Sequence, residues 1–149
     1  MAGKSKKTET LVLDVLSLLQ IQADVVVEDE EEQIAISLST EDSGIVIGHH
    51  GDVLEALQLF LSLAIAKKTG EFKRVSLDIG DYKKNRIAYL EQLANQTKEK
   101  VLSSGQEYSL ASLKPWERRV VHLSLQNDDE VVSESVGEGR DRTLIIKPR

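Results

Sequence analysis

Ile47-Gly48-His49-His50-Gly51-Asp52-Val53-Leu54 decides how the first half of this 149-residue chain is read. Two glycines three apart flank a histidine pair, and an apolar helical pattern follows. A chain that turns sharply between two helices needs backbone conformations that a Cβ disfavours. The same glycines let a phosphodiester approach the backbone, and the next helix adds free N–H groups and a positive dipole end. Taken alone, Gly-x-x-Gly serves a plain helix–turn–helix corner equally well, so the surroundings must discriminate.

Working outward, residues 52–68 read as a helix with Leu54, Leu57, Leu61, Ala64 and Ile65 inward. Lys67 and Lys68 suit its C-terminus, and Gly70 closes it. Upstream, Ser39 or Thr40 caps a short helix through Ile47, with Glu41 and Asp42 in its first turn. Two alternating stretches, residues 23–28 and 33–38, read as strands, and residues 8–21 as an amphipathic helix carrying Leu11, Val12, Val15, Leu18 and Leu19. Residues 74–79 form a further strand. The order is α-β-β-α-α-β, with the glycine turn between two helices. Glu28-Asp29-Glu30-Glu31-Glu32 reads as a solvated hairpin turn, or else as a patch that repels nucleic acid and orients it elsewhere.

Gly80-Asp81 is the expected boundary. Residues 81–104 read as a long helix with Ile87, Leu90, Ala94, Thr97 and Val101 inward, and residues 107–110 as a short strand. Pro115-Trp116-Glu117-Arg118-Arg119-Val120-Val121-His122 opens another helix, where the missing proline N–H costs nothing. Arg118 and His122 lie four apart and therefore share a face, beside an inward stripe through Val121 and Leu125. A guanidinium offers a bidentate phosphate fork, and an imidazole beside it a further donor. The bland alternative is a solvated surface with a local pair to Glu117 or Asp128. Trp116 reads either as a base-stacking platform or as a packing residue. Residues 131–135 and 143–147 complete the chain as strands, joined by a loop with Arg140 and Arg142. Those arginines and Lys147 read either as phosphate contacts or as a charged hairpin. Lys83, Lys84 and Arg86, which open the long helix, read as solvated surface ahead of an interdomain electrostatic role.

The stretch from Gly44 through Gln58 resembles the Jag/KhpB family's G-x-L-I-G-x-x-G-x-x-L-x-A-L-Q. Pro115 to His122 resembles its P-x-E-R-R-x-x-H, and Ser135 to Pro148 its closing S-x-G-x-G-x-x-R-x-x-x-I-x-P. The resemblance implies an α+β chain of two small domains. A type II KH-like domain (8–80) follows a basic tail (1–7) and precedes an R-3-H domain (81–149). It implies single-stranded RNA binding, with single-stranded DNA as the related ligand. The residues it points to are Ile47, Gly48, His49, His50, Gly51 and Val53 in the first domain, and Arg118, Arg119, His122, Arg140 and Arg142 in the second. KH modules clamp about four nucleotides against such a loop. By analogy, bases lie over a groove between helix and sheet built from Ile45, Ile47, Val53 and Leu57. The resemblance also implies post-transcriptional regulation or RNA chaperoning, a small KH partner protein and a cytoplasmic location. Many members carry a further domain ahead of the KH module, which this sequence does not show.

One departure bears on mechanism. The family usually places Lys or Arg between the glycines, whereas this chain has His49 and His50. Imidazole near its ordinary pKa of ~6.5 is mostly uncharged at neutral pH. The expectation is weaker binding at this turn, strengthening as pH falls toward 6.

Composition narrows the classes. The formal net charge is −6, unusual for a nucleic-acid binder. Residues 1–80 hold seven Lys/Arg against fourteen Asp/Glu, while residues 81–149 hold twelve against eleven. That asymmetry motivates a second reading, an interaction adaptor with weak or lost RNA affinity. Its partner would be another KH protein or a factor associated with the ribosome or a membrane insertase. Without cysteine there is no disulfide, thiolate metal site or cysteine nucleophile. No apolar run is long enough to span a bilayer, and the basic start followed by an amphipathic stretch does not read as a signal peptide. Adjacent histidines rarely converge on one ion, so neither a metal site nor a cofactor is expected. No P-loop or nucleophile–base pairing suggests an enzyme.

Overall fold

The computed structural model describes residues 2–149 and divides into two compact units after Lys83. The first contains α1 (Ala2–Leu18), β1 (Asp24–Asp29), β2 (Gln33–Ser39), α2 (Ser43–Ile47), a 3-10 turn (His49–Gly51), α3 (Asp52–Thr69) and β3 (Arg74–Ile79). The α-β-β-α-α-β order read from the sequence is therefore the observed one. The sheet runs β1-β2-β3, with β2 antiparallel to β1 and parallel to β3. In that register Ile34 meets Val75, Ile36 meets Leu77 and Leu38 meets Ile79. These six buried side chains share one face with Val12 and Leu16 of α1 and with Leu54, Leu57, Leu61 and Ile65 of α3.

Several local expectations need correction. Residues 2–7, read as a tail, form the start of α1, where Lys4 reaches Glu71 (2.9 Å) and Ser5 Oγ donates to the Val27 carbonyl (3.1 Å). The other end of α1 stops at Leu18, because Gln20 adopts φ +58° and Ile21 N–H bonds back to Leu16. Leu16 is buried instead of Leu18 and Leu19, which are exposed. Neither Ser39 nor Thr40 caps α2. Thr40 Oγ1 donates to the Gln22 carbonyl (2.6 Å), and Asp42 takes the cap position. The division falls three residues beyond Gly80 because Tyr82 packs on the first core and Lys83 N–H reaches Asp78 (3.4 Å).

The second unit contains α4 (Tyr82–Ser104) from residue 84 on, β4 (Tyr108–Leu110), α5 (Pro115–Leu125), β5 (Val131–Val136), a 3-10 turn (Gly139–Asp141) and β6 (Thr143–Pro148). Its sheet is antiparallel in the order β4-β6-β5. Leu90, Ala94 and Val101 of α4, Val121 and Leu125 of α5, Val131 of β5, and Leu144 and Ile146 of β6 fill the core. Ile87, expected inward, is exposed. The protein is an α+β chain, mixed in content with two small sheets.

Candidate nucleic-acid interface

Backbone geometry accounts for both glycines of the turn. Gly48 has φ +71° and ψ −170°, a region essentially restricted to glycine. A side-chain carbon there would fall 2.9 Å from Val53 Cβ and 3.0 Å from Val53 N. Gly51 is left-handed (φ +78°), and a Cβ there would lie 2.8 Å from Tyr82 Oη. Between them His50 also turns left-handed (φ +50°). Both imidazoles stand exposed, with ring centroids 4.0 Å apart. Asp52 and Glu55 occupy the first turn of α3 directly behind them. Carboxylates there satisfy the helix dipole and also oppose an incoming phosphate.

The apolar groove is not where the sequence reading put it. Ile45, Val53 and Leu57 line an open groove of about 820 Å³ with Phe60 of α3 and with Leu18 and Leu19 at the end of α1. It is walled by helices and not by the sheet. Ile45, 72% exposed, is its most open wall on α2. Ile47 is absent from the lining and packs half-buried against the core. The helix–sheet side holds a separate open cleft, where Leu59, Phe72 and Val75 stand beside Asp52, Glu55, Gln58 and Arg74, and Gln58 Oε1 accepts the Leu77 N–H of β3 (2.9 Å).

On α5, Glu117, Val121 and Leu125 form the buried stripe, which leaves Arg118 and His122 on a neighbouring face. Among the described residues neither pairs with an acid. Arg118 Nη1 donates to the Leu113 carbonyl (2.8 Å), and His122 Nδ1 lies 2.7 Å from Ser133 Oγ on β5. Glu117, expected at the surface, is fully buried. It accepts from Arg86 Nε (2.8 Å) and from the Lys114 N–H (3.0 Å). Arg86, expected in solvent, is thus only 13% exposed. The pair fixes the start of α5, and Arg118 follows it directly. Asp128 belongs to Lys98 (2.6 Å), which with the Glu130 and Val131 amides holds its carboxyl below the usual range.

Arg119 and Arg140 are exposed and carry no ion pair among the described residues. Arg142 Nε donates to Ser135 Oγ (2.7 Å). Lys147 instead pairs with Glu134 (3.1 Å). Val132 and Lys147 are register partners, on the sheet face away from His122, so Lys147 does not join the helix cations. Trp116 is partly exposed beside Glu117. Sequence reasoning missed Ser133. Its only signal was alternation with Val131 and Ser135 along a strand. Among the described residues no group of three or more His, Asp or Glu is placed to hold a metal ion, and no helix is long and apolar enough to cross a membrane.

A family model described as KhpA/KhpB, KH domain, matches residues 9–79, and one described as the R-3-H domain matches residues 88–148. The RNA-binding protein KhpB of Clostridium symbiosum is 35% identical over 152 residues, covering 96% of this chain and 68% of that protein. The chain belongs to the KhpB family. The KhpB proteins of Lactiplantibacillus plantarum and Bacillus subtilis are each 28% identical, over 100% and 84% of this chain. This chain covers 48% and 61% of their lengths. The first matched block contains the glycine turn, and the second contains the Arg118–His122 face of α5.

Proposed function

We propose that this chain binds single-stranded RNA, acting in post-transcriptional control or as an RNA chaperone. The observation that carries the reading is the turn at residues 48–51. Gly48 holds it in glycine-only geometry, and Val53, which Gly48 packs against, lines an open apolar groove. A phosphodiester meets the turn, with donors from His49 and His50, while bases lie over Ile45, Val53 and Phe60. In the second unit Arg118, Arg119 and His122 contact phosphates, joined by Arg140 and Arg142 from the β5–β6 loop. RNA is named over DNA because the relatives carry RNA-binding names; single-stranded DNA remains the comparison ligand. Few cations converge, so affinity should fall with salt on a shallow slope.

A second reading has its own observation. The turn offers imidazoles where the family's motif usually places Lys or Arg, backed by Asp52 and Glu55 in the first turn of α3, in a unit already rich in acids. A first unit of that kind suits an adaptor that meets a protein partner, such as a small KH protein, with RNA held by α5 alone. Anisotropy of labelled single-stranded RNA, duplex RNA and single-stranded DNA, each at low and moderate salt, tests the first reading. Preference for single-stranded RNA supports it. Absence of binding at low salt removes it.

A further inference from the structure

We propose that Ser133 and Ser135 of β5 contact nucleic acid directly and place two consecutive phosphates of one strand, the first with Arg118 and His122 and the second with Arg142. The inference rests on the RNA-binding reading and deepens it.

Three observations lead to it. Val131, Ser133 and Ser135 alternate along β5 and therefore share one face. Val131 is fully buried, and Ser133 and Ser135 pair in register with the buried Ile146 and Leu144, so this is the core-facing side. Going from Val131 to Ser135 the face emerges from the core into solvent. Both hydroxyls are met there by the second unit's candidate donors, with His122 Nδ1 on Ser133 (2.7 Å) and Arg142 Nε on Ser135 (2.7 Å). The loop makes the second meeting possible. Gly137 (φ +94°) brings the chain so close that a Cβ would sit 3.0 Å from the Asp141 carbonyl, and Arg142 returns alongside Ser135.

The chemistry suits an anion at each position. If Ser133 donates to His122 Nδ1, the ring carries its proton on Nε2 and offers that N–H outward. If Nδ1 carries the proton and donates to Ser133, the hydroxyl proton is free instead. Each tautomer leaves one donor beside Arg118, one turn away on α5. At the other position Nε–H is engaged with Ser135 Oγ, which leaves the serine proton and the outer guanidinium N–H groups for a phosphate. Two residues of strand separate the hydroxyls by about 6.6 Å, close to the spacing of neighbouring phosphates in an extended single strand. Glu134 points to the opposite face and is held by Lys147 (3.1 Å), so its carboxylate does not interrupt the row.

The test is a set of double-mutant cycles on the full chain, read by anisotropy with a labelled single-stranded RNA. Ser133→Ala and Ser135→Ala should each weaken binding about tenfold, the scale of a hydrogen bond to a charged group, with unchanged urea midpoints. Ser133→Thr, which keeps the hydroxyl, should retain most of the affinity. Ser133→Ala should be non-additive with His122→Ala, and Ser135→Ala with Arg142→Ala, whereas Ser133→Ala and Arg142→Ala should add. Removing Arg142 should flatten the salt slope by about 0.7 and removing either serine should leave it unchanged. If the native chain binds and both serine variants bind equally well, the row is wrong while the RNA reading stands. Additivity throughout also overturns it, since the hydroxyls would then not act with their partners. If the native chain binds no RNA, both fall together.

Discussion

Replacing Glu117 by alanine should remove much of the second unit's stability margin. The carboxylate is fully buried and accepts two hydrogen bonds, from Arg86 Nε at 2.8 Å and from the Lys114 N–H at 3.0 Å. Alanine takes the carboxylate away from a guanidinium that is only 13% exposed, and removes the N-terminal acceptor of α5. Breaking a buried pair from one side costs about 3–5 kcal/mol. A domain of this size has roughly 3–10 kcal/mol in total. Glu117→Gln keeps the shape and one acceptor and should cost less, about 1–3 kcal/mol. The double variant Arg86→Met/Glu117→Met buries no charge and should recover to within about 1–2 kcal/mol of the native chain, the remainder reflecting the lost cap. Urea unfolding followed by the fluorescence of Trp116, the sole tryptophan, reports this unit selectively. A loss under about 1 kcal/mol for Glu117→Ala, or a double variant no better than the single, would refute the reasoning.

Three further predictions concern the rest of the chain. Gly48→Ala must hold an L-residue at φ +71°, ψ −170° against Val53, and should cost the first unit about 1–3 kcal/mol by circular-dichroism melts; an unchanged melt contradicts the turn geometry. His49→Lys/His50→Lys should tighten RNA binding and steepen its salt dependence, because two cations join the turn; unchanged affinity and slope remove the turn from the interface. Asp128, whose carboxyl is held down chiefly by Lys98, stabilises the fold above its ordinary pKa of about 3.9 and loses that contribution as pH falls through the lower folded value. Asp128→Asn should therefore lower the urea midpoint at pH 7, with the deficit shrinking below about pH 4; a deficit independent of pH contradicts the ion pair.

What the sequence made legible was local. Alternation marked the faces of β1 and β2, Gly70 and Pro115 marked helix ends, and the glycines marked the sharp turn between α2 and α3. Leu54, Leu57, Leu61 and Ile65 lined up as expected because a single buried stripe obeys helical periodicity. What escaped were contacts between distant residues. Nothing near Glu117 says that Arg86, thirty-one residues earlier, will bury its charge. Nothing in an alternating strand says that Ser133 will meet His122. Leu18 and Leu19 fit the helical repeat of α1, but a left-handed Gln20 ends the helix first and leaves them lining the groove. The groove itself was expected against the sheet. Gln58, bonded to the outer edge of β3, lies instead in a separate cleft on that side, which Ile45, Val53 and Leu57 do not line.

The central claim is that two separate surfaces hold one class of ligand. The most direct measurement is anisotropy with a mixed-sequence single-stranded RNA pool at two salt concentrations. It compares the native chain with His49→Asp/His50→Asp and with Arg118→Ala/His122→Ala. The account predicts that both variants stay folded and lose affinity, and that the Arg118 variant also shows a salt slope flatter by about 0.7. Native-level binding by both variants would contradict it.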